Sequence, residues 1–230
     1  GLGGIGKTEL VLHLIHKKKI SDHFRFIIWI DGAAAIEDQW YKVAEIVQSG
    51  LTSSNFKTNL ERIESFLFQE GNSLIIVDNA HKWHEIQDLI PTRIPLLVTT
   101  RTHDFGGNTF IHKQIEFLSE DAAIKILTAI VPTIENDKHL PDLLDRLGGH
   151  ALAIEMAGLC IRTMRLSVAG YLHRLSRFEN EPAIVVEQTK HLKTVRACLL
   201  ATWDQVSKPS QQLWIYASMF APTSTRQSML

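Results

Sequence analysis

Three short apolar runs in the first half of the chain predict buried β-strands. None shows the alternation of a half-exposed strand, and each is followed at once by a polar residue. Uninterrupted runs of this kind are typical of parallel strands that are covered on both faces. They occupy residues 26–30, 74–77 and 96–98, and Phe110 with Ile111 could begin a fourth, short strand.

Segments with helical spacing of apolar residues separate these runs. We predict helices over residues 7–20, 36–47 and 60–68, and a polar loop over residues 51–58. Strands that alternate with helices indicate a parallel α/β sheet in the first half of the chain.

The pattern changes after Phe117, where the strand signals stop. Ser119 before two acidic residues is typical of a helix N-terminus, and leucines at i, i+3, i+4 and i+7 predict a helix that ends at Gly148-Gly149. The second half is therefore predicted to be helical, with helices around residues 140–147, 152–164, 192–203 and 213–220.

The first eight residues carry the clearest chemical signal. Residues 1–8, GLGGIGKT, fit the spacing G-x-x-x-x-G-K-[ST] of a phosphate-binding loop. Glycines let backbone N–H groups converge on phosphate oxygens, and the helix that follows directs its positive end at the same anion. Lys7 would reach the β- and γ-phosphates, and Thr8 would supply a hydroxyl to Mg²⁺. A glycine-rich turn before an ordinary helix is the plainer alternative.

The same glycines permit another interpretation. Gly1, Gly3 and Gly6 also satisfy G-x-G-x-x-G, the dinucleotide fingerprint, and Asp31 closes the next strand about where a ribose-binding acid belongs. However, a dinucleotide site has no use for the lysine and threonine that follow, and it does not require the later aspartate at Asp78.

Asp78 directly follows the second predicted strand, at the sheet edge where ligands bind in open α/β folds. Together with the phosphate-binding loop, it predicts a carboxylate that holds the Mg²⁺ shell, usually through water. The next residue is Asn79, where many hydrolysing relatives have a second acid. An amide can orient water but cannot act as a general base, so we expect slow hydrolysis, which suits a switch better than a motor.

A third motif at this edge is Thr99-Thr100-Arg101, after the strand at residues 96–98. The planar guanidinium of Arg101 could pair with phosphate oxygens and so sense the γ-phosphate. The alternative is an ordinary surface arginine after a strand.

In this order the motifs resemble those of the NB-ARC domain, the nucleotide-binding module of apoptotic protease-activating factors and plant resistance proteins, within the STAND class of P-loop NTPases. The resemblance covers essentially the whole chain. Walker A corresponds to residues 1–8, the aromatic-rich second strand to 26–31, Walker B to 74–78, the sensor motif to 99–101, the entry to the helical subdomain to 117–119, the GLPLA motif to 148–153 and the winged-helix opening to 202–222.

The resemblance implies a fold and its divisions. We expect a P-loop NTPase three-layer sandwich over residues 1–117, with strand order 5-1-4-3-2, an all-α helical subdomain over 118–188 and the start of a winged-helix subdomain over 189–230. Both ends are expected to be cut from a longer protein, and the interior strand before Gly1 to be missing. Such a fragment would be marginally stable alone, because the loss exposes two rows of unpaired backbone groups.

The resemblance also implies roles for individual residues. Ala151 takes the place of the GLPLA proline, which lies against the base and ribose, and this removes some packing surface. The catalytic set would be Lys7, Asp78, Asn79 and Arg101, and Thr8 and Asp78 would hold Mg²⁺. The residues that bind ATP or ADP would be Gly1, Gly3, Gly4, Ile5, Gly6, Lys7, Thr8, Glu9, Arg101, Gly149, His150 and Ala151.

Composition narrows the choice of partners and compartment. The formal net charge is -1, without a basic half, which argues against a dedicated nucleic-acid-binding protein. The two cysteines, Cys160 and Cys198, lie far apart, and two packed, reduced thiols in the cytosol explain them better than a disulfide scaffold. Neither a membrane span nor a signal peptide is evident in the sequence.

We therefore expect a cytoplasmic signalling switch. ADP would hold a closed state, and exchange for ATP would open it and permit homo-oligomerisation, controlled by flanking effector and sensor domains. One alternative is an active AAA+-like ATPase that acts on DNA or protein, against which Asn79 and the near-neutral charge stand. The other is a nicotinamide-dependent oxidoreductase.

Overall fold

The computed structural model describes residues 3–17, 20, 22–47, 55–179, 190–203 and 206–217. The chain divides into two units, Gly1–Glu116 and Phe117–Leu230. The subdomain boundaries expected at residues 117/118 and 188/189 remain predictions, and the predicted end of the winged-helix opening lies outside the described residues.

In the part of the first unit that the structure describes, three parallel strands form one sheet in the order β1-β2-β3. These are β1 (Phe26–Asp31), β2 (Ser73–Ala80) and β3 (Leu96–Thr100). The central strand β2 is buried on both faces from Ser73 to Val77, as its uninterrupted apolar sequence requires. The α/β prediction is confirmed, and the adjacency of the three strands agrees with the order that the resemblance implies.

Helices cover both faces of this sheet. Ile75 and Val77 of β2 pack with Trp40 and Ile63 of the helices on one face, whereas Ile76 packs with Val11 on the other. Alternate residues of one strand therefore enter two different apolar clusters, which produces a three-layer arrangement. In the described part of this unit the α-helices include α1 (Lys7–Ile15), α2 (Ile36–Ile46), α3 (Phe56–Glu70) and α4 (Trp83–Ile86).

Two predicted helix limits were wrong because side chains cap the backbone. The helix predicted over residues 7–20 ends at Ile15, where the His16 ring lies 2.6 Å from the Leu12 carbonyl oxygen. The loop predicted over residues 51–58 is helical from Phe56 onward, because the Asn55 side chain accepts from the Lys57 amide at 2.9 Å. Residues 51–54 of that loop lie outside the described part.

The fourth strand suggested at Phe110 and Ile111 does not form. Phe110 follows a 3₁₀ turn at Gly107–Thr109, and its ring packs edge-on against Trp83 at a centroid distance of 4.9 Å. The phenylalanine is thus used in an aromatic cluster with Trp83 and Phe105, and Ile111 is fully exposed.

The described part of the second unit contains helices and no strands, as predicted. Its core includes Leu143, Ile154, Tyr171 and Leu175, all fully buried. The helix from Val168 was not predicted, although its buried residues recur at helical spacing. The helices are α5 (Glu120–Ile130), α6 (Leu140–Leu147), α7 (Ala151–Met164), α8 (Val168–Glu179), α9 (Lys190–Trp203) and α10 (Lys208–Ala217), with a 3₁₀ turn at Pro132–Asn136.

Among the described residues, every helix is too short or too polar to cross a bilayer.

The Glu64 carboxylate joins α3 to the loop that leads into β3. It accepts hydrogen bonds from the backbone amides of Thr92 and Arg93, both at 2.7 Å, and pairs with the Arg93 guanidinium at 3.3 Å. Partial burial opposes ionisation, but the Arg93 and Thr92 amides and the Arg93 charge outweigh it, so the pKa of Glu64 is lowered.

We predict that Glu64→Gln lowers the free energy of unfolding at pH 7 by about 1 kcal/mol, since an amide replaces a charged acceptor in a partly exposed site. A carboxyl with a lowered folded pKa stabilises above its unfolded pKa, and this stabilisation is lost as the pH falls through the folded value. The difference in the free energy of unfolding between Glu64→Gln and the parent should therefore become smaller at acidic pH. Chemical denaturation at several pH values measures it. Glu61→Gln, an exposed change one turn earlier, is the control, and an equal effect there would contradict the prediction.

Candidate functional site

The glycine loop before α1 adopts a conformation that requires glycine at two positions. Gly4 has φ 72° and Gly6 has φ 101°, both in the left-handed region that side chains disfavour. Between them, Ile5 is only 6% exposed and anchors the loop to the interior. The described part of the predicted phosphate-binding loop is therefore a turn that is held to the core through Ile5; Gly1 and Leu2 lie outside the described residues.

The loop ends in the first turn of α1. Gly6 is the N-cap residue, and its carbonyl accepts the first helical hydrogen bond, from the Leu10 amide at 2.8 Å. A glycine cap has no side-chain oxygen for the amides of the first turn, so these amides can bind an anion. Glu9 lies exposed in the same turn.

Two cations meet beside this loop. The guanidinium of Arg101 lies against Gly3, where an added Cβ would be 3.4 Å from its Cζ atom. The pKa of Lys7 is lowered by burial and then by the positive charge of Arg101, and the negative charge of Asp78 only partly offsets this. Excess positive charge at a helix N-terminus favours a ligand with several negative charges.

Asp78 connects the loop to the sheet. It lies at the carboxyl end of β2, and the Thr8 hydroxyl lies 3.0 Å from its Oδ1 atom and 3.1 Å from its Oδ2 atom. The Thr99 hydroxyl also donates to Oδ1 of Asp78. A carboxylate and a hydroxyl at this spacing are hard oxygen ligands of the kind that Mg²⁺ prefers, so the residues present fit the predicted metal.

The backbone around Asp78 is fixed from the β1 side as well. The Gly32 amide donates to the Asp78 carbonyl at 2.7 Å. A Cβ at Gly32 would lie 2.9 Å from the Ala80 Cα atom, so only glycine allows this close approach. Asp31, the acid that the dinucleotide interpretation needs, accepts a hydrogen bond from the Ala33 amide at 2.9 Å and closes its own turn.

Asn79 has a left-handed backbone, with φ 59°. Asn is among the few non-glycine residues that adopt this region readily. The amide N–H of Asn79 donates to the Thr99 hydroxyl at 2.9 Å. The residue that replaces the second acid therefore also has a backbone role, which the sequence alone did not reveal.

The predicted GLPLA residues lie in the second unit, where they organise the segment before α5. The Gly149 carbonyl accepts from the Leu118 amide at 2.9 Å, and His150 is 1% exposed with its ring 6.2 Å from that of Phe117. Ala151 is the first residue of α7. A contact of Gly149, His150 or Ala151 with nucleotide remains a prediction.

Lys7, Thr8, Asp78 and Arg101 come together as the sequence predicted, although their roles remain predictions. Thr99 lies in the predicted sensor motif, but the sequence predicted no role for it. The signal that could have indicated a role is its position: Thr99 is a polar residue directly after the apolar run 96–98, and Asp78 has the same position after the run 74–77.

Comparison with known families identifies the fold to which this site belongs. A family model for the NB-ARC domain matches residues 1–137, more than half of the chain. The chain belongs to the NB-ARC family. It is therefore a nucleotide-binding module, and Lys7, Asp78 and Arg101 lie within the matched part of the NB-ARC domain.

A curated relative is a probable disease resistance protein of Arabidopsis thaliana. It is 22% identical, and the alignment covers 96% of this chain. The chain spans 27% of that relative's length.

Gly149 and Gly71 offer a matched test of the packing in the GLPLA region. Their φ angles are 72° and 71°, but a Cβ at Gly149 would lie 2.5 Å from the Leu118 carbonyl oxygen, whereas one at Gly71 would meet nothing within 4 Å. Gly71 has ψ 164°, a conformation essentially restricted to glycine at this φ, so we predict that Gly71→Ala costs about 1–3 kcal/mol from backbone strain alone. Gly149→Ala should cost at least about 2 kcal/mol more because the clash adds to it. Equal shifts in chemical denaturation would contradict this explanation.

Proposed function

We propose that this NB-ARC domain is an ATP/ADP switch in a multidomain signalling or defence protein. ADP holds one state, exchange for ATP favours another, and slow hydrolysis returns the first. The convergence of Lys7, Thr8, Asp78 and Arg101 on the glycine loop carries the proposal. This arrangement combines anion-binding amides, two cations and a carboxylate at one end of a parallel sheet.

In this proposal the amides of the loop and the Lys7 ammonium bind the phosphates. The Thr8 hydroxyl and the Asp78 carboxylate hold Mg²⁺, directly or through water. When bound there, the ion would supply positive charge that offsets the charge of the phosphates. The hydrogen bonds from Thr8 to Asp78 support this pairing, because they bring the hydroxyl and carboxylate oxygens to one point.

Arg101 would distinguish the two nucleotides. A ligand can shift two states only by its differential affinity for them, and ADP and ATP differ by one phosphoryl group. Arg101 is exposed at the end of β3 and lies against Gly3, so its guanidinium lies at the phosphate-binding loop. A planar guanidinium pairs with phosphate oxygens in a bidentate way, which makes Arg101 the proposed γ-phosphate contact.

Asn79 supports slow turnover. Its side chain cannot take a proton from the attacking water, and its backbone N–H is engaged by Thr99. A signalling switch requires an ATP-bound state that persists, whereas a motor requires rapid ATP hydrolysis. Rapid steady-state turnover without a partner would favour the AAA+-like alternative instead.

The defence context comes from the curated relative, a probable disease resistance protein. We extend it to this chain as a proposal, together with flanking effector and sensor domains and nucleotide-dependent homo-oligomerisation. The switch would then report to those domains through its nucleotide state.

The proposal is tested by measuring ADP and ATP affinities of the full-length protein with Mg²⁺. We predict that Lys7→Ala weakens both nucleotides by about 10- to 100-fold, because it removes a charged phosphate contact. Arg101→Ala should weaken ATP by about tenfold and leave ADP within about twofold. Lys57→Ala, at an exposed lysine on α3, is the control. Parental affinity in Lys7→Ala would disprove the proposed function.

The lowered pKa of Lys7 predicts a pH dependence. Phosphate binds the charged form and raises the pKa in the complex, so affinity is highest below the pKa of the free protein and falls as pH rises through it. We expect the decline to begin below pH 10.5, the ordinary value for lysine. Titrating ADP from about pH 7 to about pH 10 checks this. The slope should vanish in Lys7→Arg, since arginine does not titrate there; a parent without a slope would contradict the prediction.

A further inference from the structure

The register between β2 and β3 changes at the residues that follow the buried core of β2. Val77 pairs with Val98, and the next aligned pair is Ala80 with Thr100. Two residues of β2, Asp78 and Asn79, therefore stand opposite the single residue Thr99. This is the geometry of a β-bulge, which re-aims side chains and often lies beside functional sites.

A bulge removes a backbone group from the ladder, and here the Thr99 hydroxyl replaces the missing partner. The Asn79 amide donates to Oγ1 of Thr99 at 2.9 Å. The Thr99 side chain is nearly buried, at 6% exposure for the residue, so water does not readily substitute. Without this hydroxyl, the Asn79 N–H would lose its acceptor in a turn with left-handed backbone.

The chemistry of the groups fixes the direction of both bonds. A backbone N–H only donates and a carboxylate only accepts. The Thr99 hydroxyl therefore accepts a hydrogen bond from the Asn79 amide and donates one to the Asp78 carboxylate. Oδ1 of Asp78 is thereby held from the β3 side, while the Thr8 hydroxyl contacts both carboxylate oxygens from the α1 side. The carboxylate is fixed between two hydroxyls on different elements.

We propose that Thr99 is a positioning residue that orients Asp78 toward Mg²⁺. It acts through the bulge and the carboxylate, and it does not touch the nucleotide. This inference rests on the proposed function, because the metal is the reason why the orientation of Asp78 matters. Partners that orient a metal-binding group govern metal affinity without contacting the metal.

The test compares Thr99→Val with Thr99→Ser in the full-length protein. Valine keeps the shape and loses both hydrogen bonds, whereas serine keeps the hydroxyl. ADP binding is measured over a range of Mg²⁺ concentrations and again in EDTA. We predict that Thr99→Val raises the Mg²⁺ concentration at half-effect by about 10- to 100-fold, with affinity in EDTA unchanged within about twofold. Thr99→Ser should remain within about threefold of the parent.

Ser73→Ala is the matched control, since it removes a nearly buried hydroxyl at the opposite end of β2. Ser73 donates to the Leu67 carbonyl at 3.0 Å, so the change should lower stability without altering the Mg²⁺ requirement. Thr99→Ala provides a smaller replacement if valine impairs folding. A structural role alone would lower affinity equally with Mg²⁺ and with EDTA, and the inference would then be wrong.

Two further results would overturn it: an unchanged Mg²⁺ requirement in Thr99→Val, or failure of both Thr99→Val and Thr99→Ala to fold where Thr99→Ser folds. Either result would leave the proposed function standing, provided that the parent binds nucleotide with Mg²⁺ and that Lys7→Ala does not. If the parent binds no adenine nucleotide, the proposed function and the role of Thr99 both fail.

Discussion

The hydrogen bonds between Thr8 and Asp78 join the first turn of α1 to the end of β2, and the geometry of the site depends on them. Each partner is set by a different part of the chain. Thr8 is placed by a glycine loop with left-handed residues, and Asp78 by a strand whose preceding residues are buried on both faces. The burial and the backbone conformation of the two segments therefore bring the Thr8 hydroxyl and the Asp78 carboxylate together.

The cations around this pair are arranged for a partner with more negative charge than one carboxylate. Burial and the charge of Arg101 both lower the pKa of Lys7, so the charged form is less stable in the free protein than it would be in water. Polyphosphate would relieve this by supplying opposite charge to both cations at once. The free energy of binding would therefore include the relief of an unfavourable charge arrangement, and it would depend on the number of phosphates bound.

Sequence patterns correctly predicted the secondary-structure elements that are defined by buried apolar residues. The three strands and Asp78 could be located because a buried parallel strand needs an apolar run and its end lies at the ligand edge. The early start of α3 at Phe56 could have been predicted from Asn55, whose capping role depends only on local sequence. Phe110 was misassigned because its burial comes from the Trp83 ring, which is distant in sequence.

The site was harder to predict wherever it depends on register. Nothing in the order of residues shows that Asp78 and Asn79 together stand opposite Thr99, because a bulge is a relation between two strands. The identity of Asn79 suggested weak hydrolysis, and its left-handed backbone adds a conformational reason for an asparagine there. Chemical and conformational explanations for one residue can both hold, and sequence alone offers only the first.

Gly32 shows how far the requirements of this site extend. It belongs to the turn after β1, carries no functional group and would touch no phosphate, yet its amide holds the Asp78 carbonyl and its missing side chain leaves space for Ala80. A genetic screen for loss of function would therefore recover changes at this glycine together with changes at the phosphate loop. Both kinds of change would thus give the same phenotype, although only the second removes a group that we propose to bind the nucleotide.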